Sequence, residues 1–383
     1  MIYLDSAATT AVHLDVIKVI TEALTTHYGN PSSTYQLGRT AHELLESSRQ
    51  TIARCLNVSS DEIYFTSGAT EAINWAIRSQ AYQSRELGLG NHLVATSIEH
   101  SAVLKCLEQL ENEGFTYTLV NPNSEGEFTV DQFEAVSTPQ TTGWIAMAVN
   151  NEVGSILPIE SISKAAQSRG YWFHCDTVQA IGKVDCDYAS YPITSFVVTG
   201  HKISGPKGVG ILVYRPQNPA MQLHPMIVGG GQERSQRAGT ENIPYIAGLA
   251  KAIELATGEL TQHLAHYQSI KDDLLTSLKA HQIEYHLNGN TTHSVDNIVN
   301  LWLPDFESAK LRIQMDLVGI AVSAGSACSA GSIQPSRILK AYYPNETDRL
   351  VQSLRISFSP ETTKNEIDQF VKTLVELKEK GDK

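Results

Sequence analysis

Four short stretches bring together residue types that could do chemistry. Ile63-Tyr-Phe-Thr-Ser-Gly-Ala-Thr-Glu71 reads as a strand, a small-residue turn and the start of a helix. A helix entered through Ser67, Gly68, Ala69 and Thr70 offers unpaired N–H groups, a hydroxyl and the positive end of the helix dipole, which suit a phosphate. The same residues also make an ordinary helix cap. Tyr171-Trp-Phe-His-Cys-Asp-Thr-Val-Gln179 is an apolar strand that ends in Asp176. A carboxylate there is costly unless it meets a cation, and the bland alternatives are a structural ion pair or a turn cap.

Phe196-Val-Val-Thr-Gly-His-Lys-Ile-Ser-Gly-Pro-Lys-Gly-Val-Gly210 places Lys202 just after a strongly apolar strand. Partial desolvation lowers a lysine's pKa and makes its amine a usable nucleophile, whereas a solvated surface lysine is the plain alternative. Glycines 205, 208 and 210 read as tight turns. Val322-Ser-Ala-Gly-Ser-Ala-Cys-Ser-Ala-Gly-Ser332 has few apolar groups to pack and reads as a mobile loop. Cys328 in its middle suits a travelling thiolate, against the commoner fate of a small core cysteine.

These stretches need a scaffold, and the chain has one. Its 383 residues, 42% of them hydrophobic and 18% charged, fit a folded protein of two or three domains and exclude disorder. The formal net charge of -12 disfavours direct nucleic-acid binding. No apolar run is long enough to span a bilayer, and the start MIYLDSAATT has no basic leader, so the reading is cytoplasmic with no membrane partner. Five widely spaced cysteines without a CxxC pair indicate reduced thiols and no metal site.

Strand-like runs at 63–65, 93–96, 117–120, 144–149, 171–174 and 193–198 are mostly separated by helix-length segments, beginning with the helix expected over 41–56. That alternation predicts an α/β fold with a mainly parallel sheet, whose ligands sit beyond the carboxyl ends of the strands. After about residue 255 come a long helical stretch, extended runs at 297–303, 320–322 and 354–358, a helix over 306–316 and an amphipathic C-terminal helix, which read as a smaller α+β domain.

In this order and spacing the motifs resemble the pyridoxal-phosphate-dependent cysteine desulfurases of the class V aminotransferase group. The resemblance runs from Tyr3-Leu-Asp-Ser-Ala-Ala-Thr-Thr10 through Gly29-Asn-Pro-Ser-Ser33, the 66–71 turn, Glu99-His100, Asn150-Asn-Glu-Val-Gly154 and Gly200-His-Lys202. It continues through Gly229-Gly-Gly-Gln-Glu-Arg234, Arg237-Ala-Gly-Thr240 and the Cys328 loop to Arg355-Ile-Ser-Phe358. The long cysteine loop is similar to the group I branch. The resemblance implies a fold-type I transferase with a seven-stranded sheet in a large domain over 15–255. A small domain from 1–14 and 256–383 would carry Cys328.

It also implies roles. Lys202 would hold pyridoxal phosphate covalently, Asp176 would pair with its ring nitrogen and Gln179 would bond its ring hydroxyl. His100 would stack on the ring and help move protons. Ala69, Thr70, Thr199 and His201 would hold the phosphate, joined by Thr240 of the other subunit of a homodimer. Asn151 and Arg355 would receive the carboxylate of L-cysteine, though Arg355 also fits an exposed strand position. Cys328 would accept the sulfur as a persulfide and pass it to an acceptor protein, either an iron–sulfur scaffold or a tRNA-thiolating enzyme. The chain ends soon after its last helix, without the scaffold-docking tail of the housekeeping iron–sulfur desulfurases, which points towards the thiolating enzyme. Thr199 stands for a usual serine, Gln232 for a commoner histidine and Cys175 for a usual valine, adding a thiol near the cofactor. The readings left open are another class V enzyme, such as an aminotransferase or selenocysteine lyase, and a non-catalytic sulfur-relay scaffold.

Overall fold

The computed structural model describes residues 1–325 and 335–381, so Cys328 lies outside the described residues. In chain order the strands are β1 (Ile2–Tyr3), β2 (Ile63–Thr66), β3 (His92–Thr96), β4 (Thr116–Val120), β5 (Thr141–Met147) and β6 (Trp172–Asp176). They continue as β7 (Ser195–Thr199), β8 (Gly210–Tyr214), β9 (His286–Leu287), β10 (Ile298–Trp302), β11 (Ile320–Ala321) and β12 (Ser353–Ser357). A seven-stranded sheet has the order β2-β8-β7-β6-β5-β3-β4. β8 runs antiparallel to both neighbours and every other pairing in this sheet is parallel.

Period-2 alternation covers both faces of the sheet. Ile63, Phe65, Val94, Trp144, Phe173, Cys175, Phe196, Ile211 and Val213 point into one buried cluster with the helices Gln36–Leu56 and Ile243–Gly258. Leu93, Ala95, Ile145, Trp172, Val197 and Leu212 point into the other, against the helices Ala69–Glu86 and Ser101–Glu111. Sheets buried on both faces are expected when helical crossovers join parallel strands. Cys175 therefore faces away from the cavity described below, and the expected thiol beside the cofactor is instead a core residue.

β8 corrects the expectation of turns at glycines 205, 208 and 210. Only Gly208 has positive φ, at 77°. Gly210 starts the strand, where a Cβ would stand 2.9 Å from the Cα of Gly68. Close backbone approach, and not turn geometry, requires glycine there. The helix expected from residue 41 begins at Gln36, and the strand expected over 144–149 covers Thr141–Met147.

A third buried cluster joins Leu4 with residues between Tyr267 and Leu374. It packs the antiparallel sheet β12-β10-β9 and the parallel pair β1-β11 against the helices Leu260–Ala280 and Lys364–Gly381. No helix among the described residues is long and apolar enough to cross a membrane.

Candidate active site

The parallel strands end on one side of the large sheet, and the loops leaving them surround a cavity of about 550 Å³. β2 delivers Ser67, Gly68, Ala69 and Thr70; β3 delivers Glu99 and His100; β5 delivers Asn151. β6 ends in Asp176 with Gln179 beyond, and β7 ends in Thr199 with His201 and Lys202 beyond. β12 adds Arg355. The cavity thus gathers every expected site residue except Cys328 and Thr240. Thr240 is exposed and away from the cavity of its own chain.

Lys202 Nζ donates to the carbonyls of Ala7 and Ala8 at 2.6 and 2.7 Å, which ties the amine to the N-terminal loop that lines the cavity. Asp176 is buried, accepts from Val178 N at 3.0 Å, and has no direct ion pair among the described residues. Burial raises its pKa, against the pull of His100 and Lys202. A buried carboxylate in this state fits a cationic ring N–H.

His100 caps the helix Ser101–Glu111, its Nδ1 accepting from Ala102 N at 3.1 Å. Burial lowers its pKa. With Nδ1 occupied as an acceptor, the neutral ring carries its proton on Nε2. His201 lies 3.2 Å from Thr9 Oγ1 through Nδ1, and burial together with Lys202 and Lys207 drops its pKa to about 4. It is a neutral hydrogen-bonding group near pH 7.

The helix Ala69–Glu86 starts at Gly68, whose φ of 152° and missing side chain leave its first N–H groups without a side-chain cap. Such an end, with Thr70 and Thr199 hydroxyls nearby, is built for an anion. Glu71, in the same first turn, is held by Arg237 Nε at 2.8 Å and by Ser67 N at 2.8 Å, so its charge is already compensated.

Arg355 is buried, not an exposed strand position. It donates Nη1 to Asn151 O at 2.9 Å and Nη2 to Asp5 Oδ1 at 2.6 Å, while Nε has no hydrogen-bond partner among the described residues. A buried guanidinium with an unmet donor suits an incoming carboxylate. Asn150, which precedes Asn151 in sequence, is structural: its Oδ1 accepts from Glu152 N and Val153 N.

Sequence reasoning assigned no role to Asp5, Glu99, Lys207 or Arg337, which also meet here. Asp5 and Glu99 stood inside quoted motifs and Lys207 inside the Lys202 stretch, so their positions carried a signal. Arg337 carried none; it is placed by hydrogen bonds to the carbonyls of Ser97 and Glu99.

The class V aminotransferase family matches residues 2–370. The chain is 37% identical over 381 residues to a cysteine desulfurase of Nostoc sp., covering 99% of this chain and 93% of that protein. It is also 37% identical over 380 residues to a cysteine desulfurase IscS of Methanosarcina thermophila, covering 99% and 92%. Among solved structures, a NifS-like protein superposes with a TM-score of 0.90 at 32% identity over 98% of both chains. SspA in complex with cysteine gives 0.81 at 30% identity, over 95% of this chain and 100% of the other. The chain belongs to the class V aminotransferase family and, within it, to the cysteine desulfurases. These families work with pyridoxal phosphate. The uncapped helix start, the unpaired Asp176 and the amine of Lys202 fit that group's phosphate, ring nitrogen and aldehyde.

Proposed function

We propose that this chain is a pyridoxal-phosphate enzyme that converts L-cysteine to L-alanine and transfers the sulfur to Cys328, and from there to an acceptor protein. The observation that carries the reading is the convergence of Lys202, Asp176, His100, Gln179, Thr70 and Arg355 on one cavity at the carboxyl ends of the strands. When bound, the cofactor supplies the electron sink for removing the substrate's α-proton.

The chain's own residues do the rest. Ala69, Thr70, Thr199 and His201 hold the phosphate, joined by Thr240 of the partner subunit in a homodimer. Asp176 orients the ring by taking its N–H, and Gln179 bonds the ring oxygen. Lys202 Nζ provides the covalent tether and then a base at the α-carbon. His100 offers a proton from Nε2. Arg355 and Asn151 bind the carboxylate, and Asp5 keeps the guanidinium pointed at it. The substrate Cβ–S bond breaks, a bond forms between that sulfur and the Cys328 sulfur, and a proton is taken up at Cβ. The β-carbon is reduced as both sulfurs reach the persulfide level, so the step needs no outside oxidant.

The large domain over 15–255 would hold the cofactor, while 1–14 and 256–383, which share the third core, would carry Arg355 and Cys328. Free thiols at Cys55, Cys106, Cys175 and Cys186 support a reducing, cytoplasmic setting. The acidic charge supports contact with an acceptor protein, an iron–sulfur scaffold or a tRNA-thiolating enzyme, and not with tRNA itself. Lys202→Ala tests the reading. Alanine formation from cysteine is expected to fall by at least about a thousandfold with the fold retained. Multiple turnovers by that variant would overturn it.

A further inference from the structure

Lys183 is buried in the segment after β6, and its Nζ donates to a single described group, Gln179 Oε1 at 2.8 Å. A buried ammonium has three donors, so one acceptor is a sparse environment that needs a reason. Burial, reinforced by the charge of Lys202, brings the Lys183 pKa down to about 7. Protonated or neutral, the amine still donates.

The amide it holds is constrained at both ends. Gln179 Nε2 donates to Ala7 O at 2.9 Å, the same carbonyl that accepts from Lys202 Nζ. A carbonyl can only accept and the Lys183 amine donates, so oxygen must face Lys183 and nitrogen must face Ala7; the opposite flip would set two acceptors together. Nε2 has two hydrogens and Ala7 takes one. The other is left for the main cavity, which Gln179 lines.

We propose that Lys183 is a positioning residue that fixes the Gln179 amide so that an N–H, and not the carbonyl oxygen, faces the ring oxygen of a cofactor held at Lys202. The inference rests on the cofactor reading above. Without Lys183, Gln179 Oε1 would be a buried acceptor with no partner, and the amide would rotate to find one. A donor on the ring oxygen stabilises its anionic form, which is the form that accompanies loss of the proton from the nitrogen linking Lys202 to the cofactor. Losing the donor therefore raises the pH at which that proton leaves. The charged and titratable groups that line a small second cavity together with Lys183 are Lys202, His13, Glu259, His263, Glu361 and Tyr267.

The test is the pH midpoint of the visible absorbance of the reconstituted holoenzyme, with no turnover involved. Lys183→Met should move the midpoint upward by about one unit, a tenfold change in proton affinity. Gln179→Ala should move it the same way. The double variant should move it no further than Gln179→Ala alone. Lys183→Gln, neutral but still an N–H donor, should restore the wild-type midpoint, and it also tests the idea if Lys183→Met fails to fold. Additive shifts in the double variant, or a shifted midpoint in Lys183→Gln, would overturn the proposal by showing that Lys183 acts through its charge on Lys202. An unchanged midpoint in folded Lys183→Met would overturn it too. A reconstituted wild-type protein with no visible absorbance would instead remove the cofactor reading beneath it.

Discussion

Glu99 shows how one side chain can matter at this site without touching the reacting atoms. Its Oε1 accepts from Thr96 Oγ1 at 2.5 Å and from Met147 N at 2.8 Å, and its Oε2 has no partner among the described residues. Burial pushes its pKa up to about 8, with the nearby Asp176 carboxylate adding to the rise. Glu99 is therefore neutral near pH 7, which spares Asp176 a second negative charge beside it. The linkage has a definite sign. Between the ordinary value of 4.5 and about 8 the folded state keeps a proton that the unfolded chain releases, so stability falls as pH rises through that window. Glu99→Gln keeps the shape and removes the titration. Its melting temperature should match the wild type near the acid end of the window and exceed it near the alkaline end. Parallel losses of melting temperature in both proteins across the window would sink this account.

The elements were largely legible because their signals are local. The strands that deliver residues to the cavity, β2, β3, β5, β6, β7 and β12, all follow apolar runs visible in the sequence, and the ends of β6 and β7 put Asp176 and Lys202 where the pattern indicated. β8 was not legible, because its run Ile211-Leu-Val-Tyr214 follows a glycine, Gly210, whose reason is a neighbour 142 residues away in sequence, Gly68. Long-range pairs were hidden for the same reason. Arg49 sends Nη1 and Nη2 to the two oxygens of Glu233 at 3.0 and 2.7 Å, and Glu233 Oε2 also accepts from Phe65 N at 2.8 Å. This ties the helix Gln36–Leu56 and β2 to the segment that leads on to Arg237 and Thr240. Glu233 holds a left-handed φ of 45°, a strained backbone for a residue with a side chain, which the ion pair helps to keep. Arg49→Met leaves the Glu233 carboxylate buried and uncompensated, a loss of about 3–5 kcal/mol. Urea denaturation should show a lower midpoint for the first transition; an unchanged midpoint would mean that the pair is not structural.

At the scale of the whole molecule, the cavity joins loops of the large sheet with Arg355 of β12 and Arg337. The described residues on either side of 326–334 are tied to the cavity rim: Ser323 bonds across to Arg355, Ser336 donates to Glu152, and Arg337 lines the cavity itself. Cys106 and Cys175 are buried, burial raises both thiol pKa values, and none of Cys55, Cys106, Cys175 or Cys186 lines the cavity. A desulfurase needs a thiolate in reach, whereas an aminotransferase needs only the amine, the cofactor and the carboxylate-binding arginine. Cys328→Ala should accordingly keep the cofactor spectrum and its change on adding cysteine, since Lys202, Asp176, Asn151 and Arg355 are untouched, while alanine formation collapses. Cys175→Ala should keep activity apart from a modest packing effect, because its sulfur sits in the core on the far face of β6. Peptide mass spectrometry after a single exposure to cysteine should find one added sulfur atom on Cys328. Near-native alanine formation by Cys328→Ala, or the added sulfur on Cys175, would remove Cys328 from the mechanism.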